Sequence, residues 1–74
     1  MQIIILGGGA VGSLVASRLV QEKNAVVIVE SDPDRCQRLE EGLDAQVIQG
    51  HANSISPLER AGLREADMLI AVTN

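Results

Sequence analysis

Apolar and polar positions along the chain form two kinds of block. Short apolar runs that are rich in Ile, Val and Leu are separated by longer segments, in which apolar residues recur every three or four positions. A short continuous apolar run is typical of a strand buried on both faces, and the longer spacing is typical of an amphipathic helix. The pattern predicts strands at residues 2–6, 25–29, 45–48 and 68–72, with a helix after each of the first three.

The first predicted helix covers residues 10–22 and carries apolar side chains at helical spacing. We expect one face to pack on the sheet through Val11, Leu14, Val15 and Leu19. A polar pair at residues 23–24 should end the helix.

The second predicted helix starts at a capping signal. Asp32 can accept hydrogen bonds from first-turn amides, and Pro33 suits the first helical position, where no amide donor is needed. Asp32 has a second candidate role as a ligand-binding acid, and the two roles are compatible. The helix should continue to about residue 41, with Gly42 in the left-handed position that ends it.

The third predicted helix also starts at a capping signal. Ser56 and Glu59 have the spacing of a capping box, and Pro57 suits the first helical position. Gly62 should end this short helix.

A glycine-rich segment joins the first predicted strand to the first predicted helix. Gly7 would let the chain turn sharply, Gly9 would leave room for a pyrophosphate, and Gly12 would let the helix pack close to the strand. The helix begins near Ala10 and Val11, so its unpaired amides would point at a bound anion. This spacing, between a strand and a helix, is typical of an adenine-dinucleotide site.

An acid closes the second predicted strand. Glu30 lies eighteen positions after Gly12, close to the roughly 20 residues expected for the acid that binds a ribose 2′-hydroxyl. Its charge would repel a 2′-phosphate, so it favours NAD over NADP. Ser31 and Asp32 follow at the same edge and are further candidate contacts.

Strands that alternate with helices predict a parallel sheet with right-handed crossovers. For four strands the doubly wound order is 3-2-1-4, with helices on both faces, which is a Rossmann-like α/β fold. A six-stranded domain would need two further strands, so residues 1–74 are expected to be a truncated, N-terminal part of a dinucleotide-binding domain. Ligands bind at the carboxyl edge of such a sheet, which should also carry His51, Ala52, Thr73 and Asn74.

Two reactive residue types occur once each. His51 has no cysteine at metal-ligand spacing and no paired nucleophile, so the sequence predicts neither a metal site nor a catalytic residue. We expect it to contact the adenine side of a ligand. Cys36 shares an apolar helix face with Leu39 and Leu43, which favours a core residue over a reactive thiol.

Composition and charge narrow the class of protein. The chain of 74 residues is 46% hydrophobic without any aromatic residue, which indicates one small aliphatic domain. A net charge of −4 with scattered basic residues argues against a nucleic-acid partner. No apolar run approaches the roughly 20 residues that span a bilayer, and the N-terminus lacks a basic signal region, so we expect a cytoplasmic location without membrane insertion.

Five stretches of the chain carry a family resemblance: residues 3–12, 27–32, 47–52, 61–62 and 66–74. In these stretches the chain resembles the N-terminal nucleotide-binding domain of TrkA-type potassium uptake regulatory subunits, within the RCK (regulator of potassium conductance) group. The resemblance implies a non-enzymatic domain at the inner face of the membrane. It would bind NAD(H) or ATP/ADP and change shape to control a potassium-translocating membrane subunit.

The resemblance also implies roles for individual residues. Gly7, Gly9 and Gly12 would hold the phosphates, Glu30 the ribose and His51 the adenine side, with Thr73 and Asn74 on the far side of the crevice.

The uncharged fourth strand becomes a sheet edge in the predicted order, so we expect a homo-oligomer, a dimer or higher.

Two other functions stay open at this point. The chain could be the cofactor-binding part of an NAD-dependent dehydrogenase whose substrate residues lie beyond Asn74, because a fold does not determine a function. It could also be a structural or oligomerising half-domain in which the glycines only turn the chain. Titration with NAD, NADH, ATP and ADP would distinguish the regulatory, dehydrogenase and structural hypotheses.

Overall fold

The computed structural model describes residues 1–51 and 55–72, which form alternating strands and helices. Every predicted strand and helix is present, with ends that shift by one or two residues. In chain order the elements are β1 (Gln2–Leu6), α1 (Ala10–Gln21), β2 (Ala25–Glu30), α2 (Pro33–Gly42), β3 (Gln46–Gln49), α3 (Ile55–Arg60), a 3-10 turn (Leu63–Glu65) and β4 (Met68–Ala71).

The four strands form one parallel sheet in the order β3-β2-β1-β4. In the register at its centre, Ile4 of β1 lies opposite Val27 of β2 and Leu69 of β4. The predicted order 3-2-1-4 is therefore confirmed. The order reverses between β1 and β4, which leaves the crevice for ligands at the carboxyl ends of these strands.

Helices lie on both faces of the sheet, as predicted. Strand side chains alternate between the two faces, so apolar residues on each face need to be buried. On one face the core contains Ile3, Ile5, Val26 and Ile28 of the sheet with Ala16 of α1 and Leu39 of α2. On the other face Ile4, Val29 and Ile48 pack with Ala61, just after α3. The three central isoleucines of β1 are at most 2% exposed, so this strand is the centre of the domain.

The buried face of α1 differs from the predicted one. Val11 and Leu14 are 58% and 72% exposed, whereas Gly12 and Ala16 are buried. Val15 and Leu19, also predicted, are partly buried against the core. The helix approaches the sheet through its smallest residues, which turns the side chain of Leu14 to the opposite side.

The ends of α2 show one correct prediction and one error. Asp32 is the N-cap, accepting a hydrogen bond from the Asp34 amide at 3.1 Å, and Pro33 follows at the first helical position. Gly42 does not adopt the left-handed conformation but is the last helical residue. The chain instead leaves the helix through Leu43 in an extended conformation, and this lets the Leu43 side chain pack against the core.

The start of α3 also differs from the prediction. The helix begins at Ile55, so Ser56 lies in its first turn and is not the N-cap. The first amides of a helix have no intrahelical partner, so proline is tolerated at more than one position in the first turn. Pro57 is therefore compatible with a helix that begins two residues before it. Gly62 follows the helix with a φ of +85°, in the left-handed region predicted for it.

Candidate functional site

The turn after β1 places the first glycine against the neighbouring strand. Gly7 has a φ of +102°, which favours glycine, and its amide donates to the Val29 carbonyl at 2.8 Å. A Cβ at this position would lie 2.5 Å from the Val72 carbonyl oxygen. Gly7 is thus required by the turn and by the close approach of Val72, the residue that follows β4.

Gly12 lets α1 lie close to the same turn. A Cβ on Gly12 would collide with the Gly7 carbonyl oxygen, and it would contact Ile5 at 3.9 Å. The packing role that the sequence predicts for this glycine is therefore observed.

The N-terminus of α1 opens onto this glycine loop, residues 7–12. Gly9 is the N-cap, and no side chain in the described part of the chain caps the helix. The first helical hydrogen bond in this turn runs from the Ser13 amide to the Gly9 carbonyl at 2.9 Å, so the amides of Ala10 and Val11 precede the helical ladder. Such donors, at the positive end of the helix dipole, suit an anion.

The Glu30 side chain lies under the glycine loop. It is 5% exposed, and its two carboxylate oxygens accept hydrogen bonds from the Gly8 amide at 2.6 Å and from the Asp32 amide at 2.8 Å. The Arg35 guanidinium lies 3.7 Å from the oxygen that Gly8 binds. The acid at the end of β2 therefore joins the loop after β1 to the loop after β2.

These contacts set the charge of Glu30. Burial raises the pKa of its carboxyl, because the ionised form loses water. The hydrogen bonds from the Asp32 and Gly8 amides, together with the Arg35 guanidinium, outweigh burial and lower that pKa below its ordinary value. Glu30 is therefore ionised at neutral pH.

Gly8 and Arg35 are two residues of this site that the sequence analysis missed. A Cβ on Gly8 would lie 2.5 Å from Leu39 and 3.2 Å from the Glu30 carboxylate. Gly8 occupies a position that the glycine fingerprint leaves variable, so spacing alone could not identify it. Arg35 could have been found as the base in the first turn of α2, five positions after the acid.

A small pocket of about 160 Å³ lies at the predicted carboxyl edge of the sheet. Among the predicted site residues, Gly7, Glu30, Ser31 and His51 line it, with Val29, Arg35 and Gly50. Asp32 adjoins this pocket, because its backbone amide donates a hydrogen bond to the Glu30 carboxylate. Ala52, Thr73 and Asn74 lie outside the described residues, and their roles stay predictions.

A larger cleft of about 630 Å³ lies between α1 and α2. It reaches the glycine loop at Gly9 and Ala10, and Arg35 and Arg38 of α2 line it. Among the residues that the structure describes, no carboxylate lines this cleft, in contrast to the small pocket. Arg35 lines both cavities, so a basic side chain separates the acid from the wider opening.

Two further observations concern other kinds of site. In residues 1–51 and 55–72 no three potential metal-ligating side chains come together. Within the same residues no helix has the length and apolarity needed to cross a bilayer.

Chemically, the candidate site at the sheet edge pairs backbone amide donors with a nearby carboxylate, which complements a ligand carrying both phosphate and hydroxyl groups.

Comparison with known proteins supports the resemblance seen in the sequence. The family model of the TrkA-N domain matches residues 3–74. The chain belongs to the TrkA-N domain family. All 74 residues align with the Trk system potassium uptake protein TrkA of Vibrio alginolyticus at 47% identity, and with that of Halomonas elongata at 45%.

A less similar relative also aligns with almost the whole chain. The Trk system potassium uptake protein TrkA homolog of Methanothermobacter thermautotrophicus is 36% identical over 73 residues, which are 99% of the chain. The chain spans only 16% of the length of the Vibrio alginolyticus and Halomonas elongata proteins and 34% of this homolog.

Proposed function

We propose that residues 1–74 form the nucleotide-binding part of a regulatory subunit in a potassium uptake system. The domain binds NAD(H) or ATP/ADP, and the bound nucleotide changes its conformation to control ion transport. The observation that carries this proposal is the meeting of the glycine loop, the uncapped N-terminus of α1 and the ionised Glu30 at one sheet edge. The names of the TrkA relatives support the link to potassium uptake.

The phosphates of the nucleotide bind at the glycine loop in this proposal. Gly9 and the first-turn amides at Ala10 and Val11 supply donors without side chains, and the helix dipole adds a favourable charge. Gly7 and Gly12 contribute by forming the turn and by bringing α1 close to it. Arg35 and Arg38, in the adjoining cleft, add positive charge on the α2 side.

The nucleoside part of the ligand binds beside Glu30 and Ser31. One lone pair of the Glu30 carboxylate accepts a hydrogen bond from a ribose hydroxyl, and the exposed Ser31 lies next to it. His51, which is exposed at the end of β3, contacts the adenine side. Ala52, Thr73 and Asn74 complete the predicted contacts.

The protein acts without catalysing a reaction, as a homo-oligomer at the cytoplasmic face of the membrane. Its partner is a potassium-translocating membrane subunit. Two acids near the pocket have structural roles: backbone amides hold Glu30, and Asp32 caps α2.

Calorimetric titration of the intact protein with NAD, NADH, ATP and ADP tests the proposal. We expect saturable binding of at least one of these ligands, and about tenfold weaker binding by Gly9→Ala, because a methyl group would face the phosphates. The Gly9 φ of −69° is open to alanine, so the variant should fold. Glu40→Ala, at an exposed position of α2 that lines neither the small pocket nor the larger cleft, is the control.

Two results would contradict the proposed function. Absence of binding for all four nucleotides would favour a purely structural half-domain. Turnover of NAD by the intact protein, seen as a change in nicotinamide absorbance with an oxidisable substrate, would favour the hypothesis of an NAD-dependent dehydrogenase.

A further inference from the structure

Glu30 contacts all three loops that surround the small pocket. Its side chain binds the Gly8 amide at 2.6 Å and the Asp32 amide at 2.8 Å. Its main-chain carbonyl accepts from the Gly50 amide at 2.9 Å and from the Cys36 thiol at 3.3 Å. One buried residue thereby links the loops after β1, β2 and β3.

The contacts leave only part of the carboxylate free for a ligand. A carboxylate has about four acceptor positions, and the Gly8 and Asp32 amides take two of them. Arg35 faces the same oxygen as Gly8 from 3.7 Å. The protein's own amides thus occupy half of the acceptor positions, whereas an acid that serves only the ribose would be expected to present both oxygens to its two hydroxyls.

The hydrogen bond between Glu30 and the Gly8 amide affects the proposed phosphate site. Gly8 lies between Gly7 and Gly9, and a Cβ on it would meet the end of the Leu39 side chain. A short, buried hydrogen bond to an ionised acceptor is among the stronger ones in proteins. This hydrogen bond holds Gly8, the residue that immediately precedes the N-cap of α1.

We infer that Glu30 is a positioning residue for the glycine loop: its carboxylate holds the Gly8 amide and so orients the loop donors that bind phosphate. This inference rests on the proposed function and deepens it. It assigns Glu30 a contribution to the affinity for phosphate groups, besides its contact with the ribose.

The inference and a purely ribose-binding role predict opposite effects on one ligand. 2′,3′-Dideoxy-ADP lacks both hydroxyls that Glu30 could accept from. If Glu30 only binds ribose, its removal leaves the affinity for this ligand unchanged, or raises it because a negative charge near the phosphates is gone. If Glu30 positions the loop, its removal lowers that affinity.

The test is calorimetric titration of the intact protein with ADP and with 2′,3′-dideoxy-ADP. For Glu30→Ala we expect about tenfold weaker binding of dideoxy-ADP, the size of effect typical of one charge-assisted hydrogen bond. Glu40→Ala removes an exposed glutamate from α2 and should leave both affinities unchanged. Unchanged or tighter binding of dideoxy-ADP by Glu30→Ala overturns the inference.

A second variant covers the case in which Glu30→Ala does not fold. Glu30→Gln keeps the side-chain length and one acceptor oxygen, which can serve only one of the two amides. We expect its affinity for dideoxy-ADP to fall below that of the wild type. Affinity equal to or above that of the wild type overturns the inference.

Hydrogen–deuterium exchange of the ligand-free protein supplies a readout that needs no nucleotide. For Glu30→Gln we expect exchange in residues 7–12 to become about tenfold faster, with no change in the strands β1 and β2, whereas general loosening of the fold would speed both. Unchanged exchange in residues 7–12 overturns the positioning role. Failure of every nucleotide to bind would instead refute the proposed function and leave this measurement decisive for Glu30.

Discussion

The carbonyl oxygen of Gly7 occupies the space into which a side chain on Gly12 would project. These two glycines are five positions apart, one in the turn after β1 and the other in the first turn of α1. Their contact lets the N-terminus of α1 sit directly over the end of the central strand. The most constrained contact of the glycine loop is thus between two parts of the backbone.

Substitution of Gly12 by alanine should therefore destabilise the protein. The methyl group would have to displace backbone, and we expect a loss of about 2 kcal/mol or more in the free energy of unfolding, measured by chemical denaturation. Gly42→Ala is the matched control, because nothing lies within 4 Å of its added Cβ, at the last residue of α2. That variant should be about 0.5 kcal/mol more stable than the wild type, and equal losses in the two variants would contradict the packing role of Gly12.

The stability of the fold should depend on the ionisation of Glu30. Its folded-state pKa is lowered: burial raises it, but the Asp32 and Gly8 amides and the Arg35 guanidinium more than compensate. A lowered pKa means that the stabilisation is complete above the ordinary value of about 4.3 and is lost as the pH falls through the folded-state pKa. Denaturation at a series of pH values from about 7 to 3 should show this loss.

The variant Glu30→Gln isolates that contribution. It should be less stable than the wild type at neutral pH and should depend less on pH in the acid range, because the titrating group is gone. Glu40→Gln, on the exposed side of α2, should retain the wild-type dependence on pH. Parallel pH profiles for the wild type and Glu30→Gln would show that Glu30 has the same pKa folded and unfolded.

Ser31 offers a test of the expected preference for NAD over NADP. Replacing Glu30 by arginine would bury a charge and leave two amides without an acceptor, whereas Ser31 is exposed and lines the same pocket. Ser31→Arg should improve the affinity for NADP relative to NAD by about tenfold, because a guanidinium can bind a 2′-phosphate. Gln37→Arg adds the same charge within α2, and equal ratios in both variants would place the ribose away from Ser31.

Cys36 should behave as an inert core residue. Burial raises the pKa of its thiol, and the nearby carboxylates of Glu30, Glu40 and Asp32 raise it further. We expect alkylation of the native protein at about pH 8 to be at least about tenfold slower than alkylation in denaturant. The exposed Ser56→Cys variant of a Cys36→Ser protein controls for reagent access, and a Cys36 that reacts as fast as this surface thiol would contradict the prediction.

The edge strand β4 should cause isolated residues 1–74 to self-associate. Met68 and Leu69 are 44% and 49% exposed, and the strand has no charge or proline that would discourage pairing with another chain. We expect a dimer or a larger species in sedimentation velocity at about 10 µM, and more monomer for Leu69→Lys. Leu14→Lys alters an even more exposed leucine on α1 and should not change the association. A monomeric wild-type fragment would refute this prediction.

The order of the elements and the edge that carries the site could be predicted from the sequence. The apolar runs of β1 and β2 are local signals, and alternation with helices restricts the sheet to parallel pairing with right-handed crossovers. Once that order is set, parallel strands place Gly7, Glu30 and His51 at one edge wherever the loops run. Local capping chemistry likewise predicted Asp32 and Pro33 correctly.

Contacts between elements were decided only by the tertiary structure. Leu14 has the spacing of a core residue, yet α1 turns it outward because Gly12 and Ala16 allow the closest approach to the sheet. Gly42 has the identity of a left-handed cap, but the chain extends at once so that Leu43 reaches the core. Periodicity and residue type report local preference, whereas burial depends on which surfaces fit together most closely.

The bond between Glu30 and Gly8 shows the same division. The sequence determined that an acid ends β2 beside a glycine loop, since both lie in one strand–helix–strand unit. Only the folded chain could decide that the acid turns inward and binds a backbone amide twenty-two positions away. A backbone amide carries no signature of residue type, so its partner is chosen by three-dimensional proximity and by the cost of leaving a buried charge without donors.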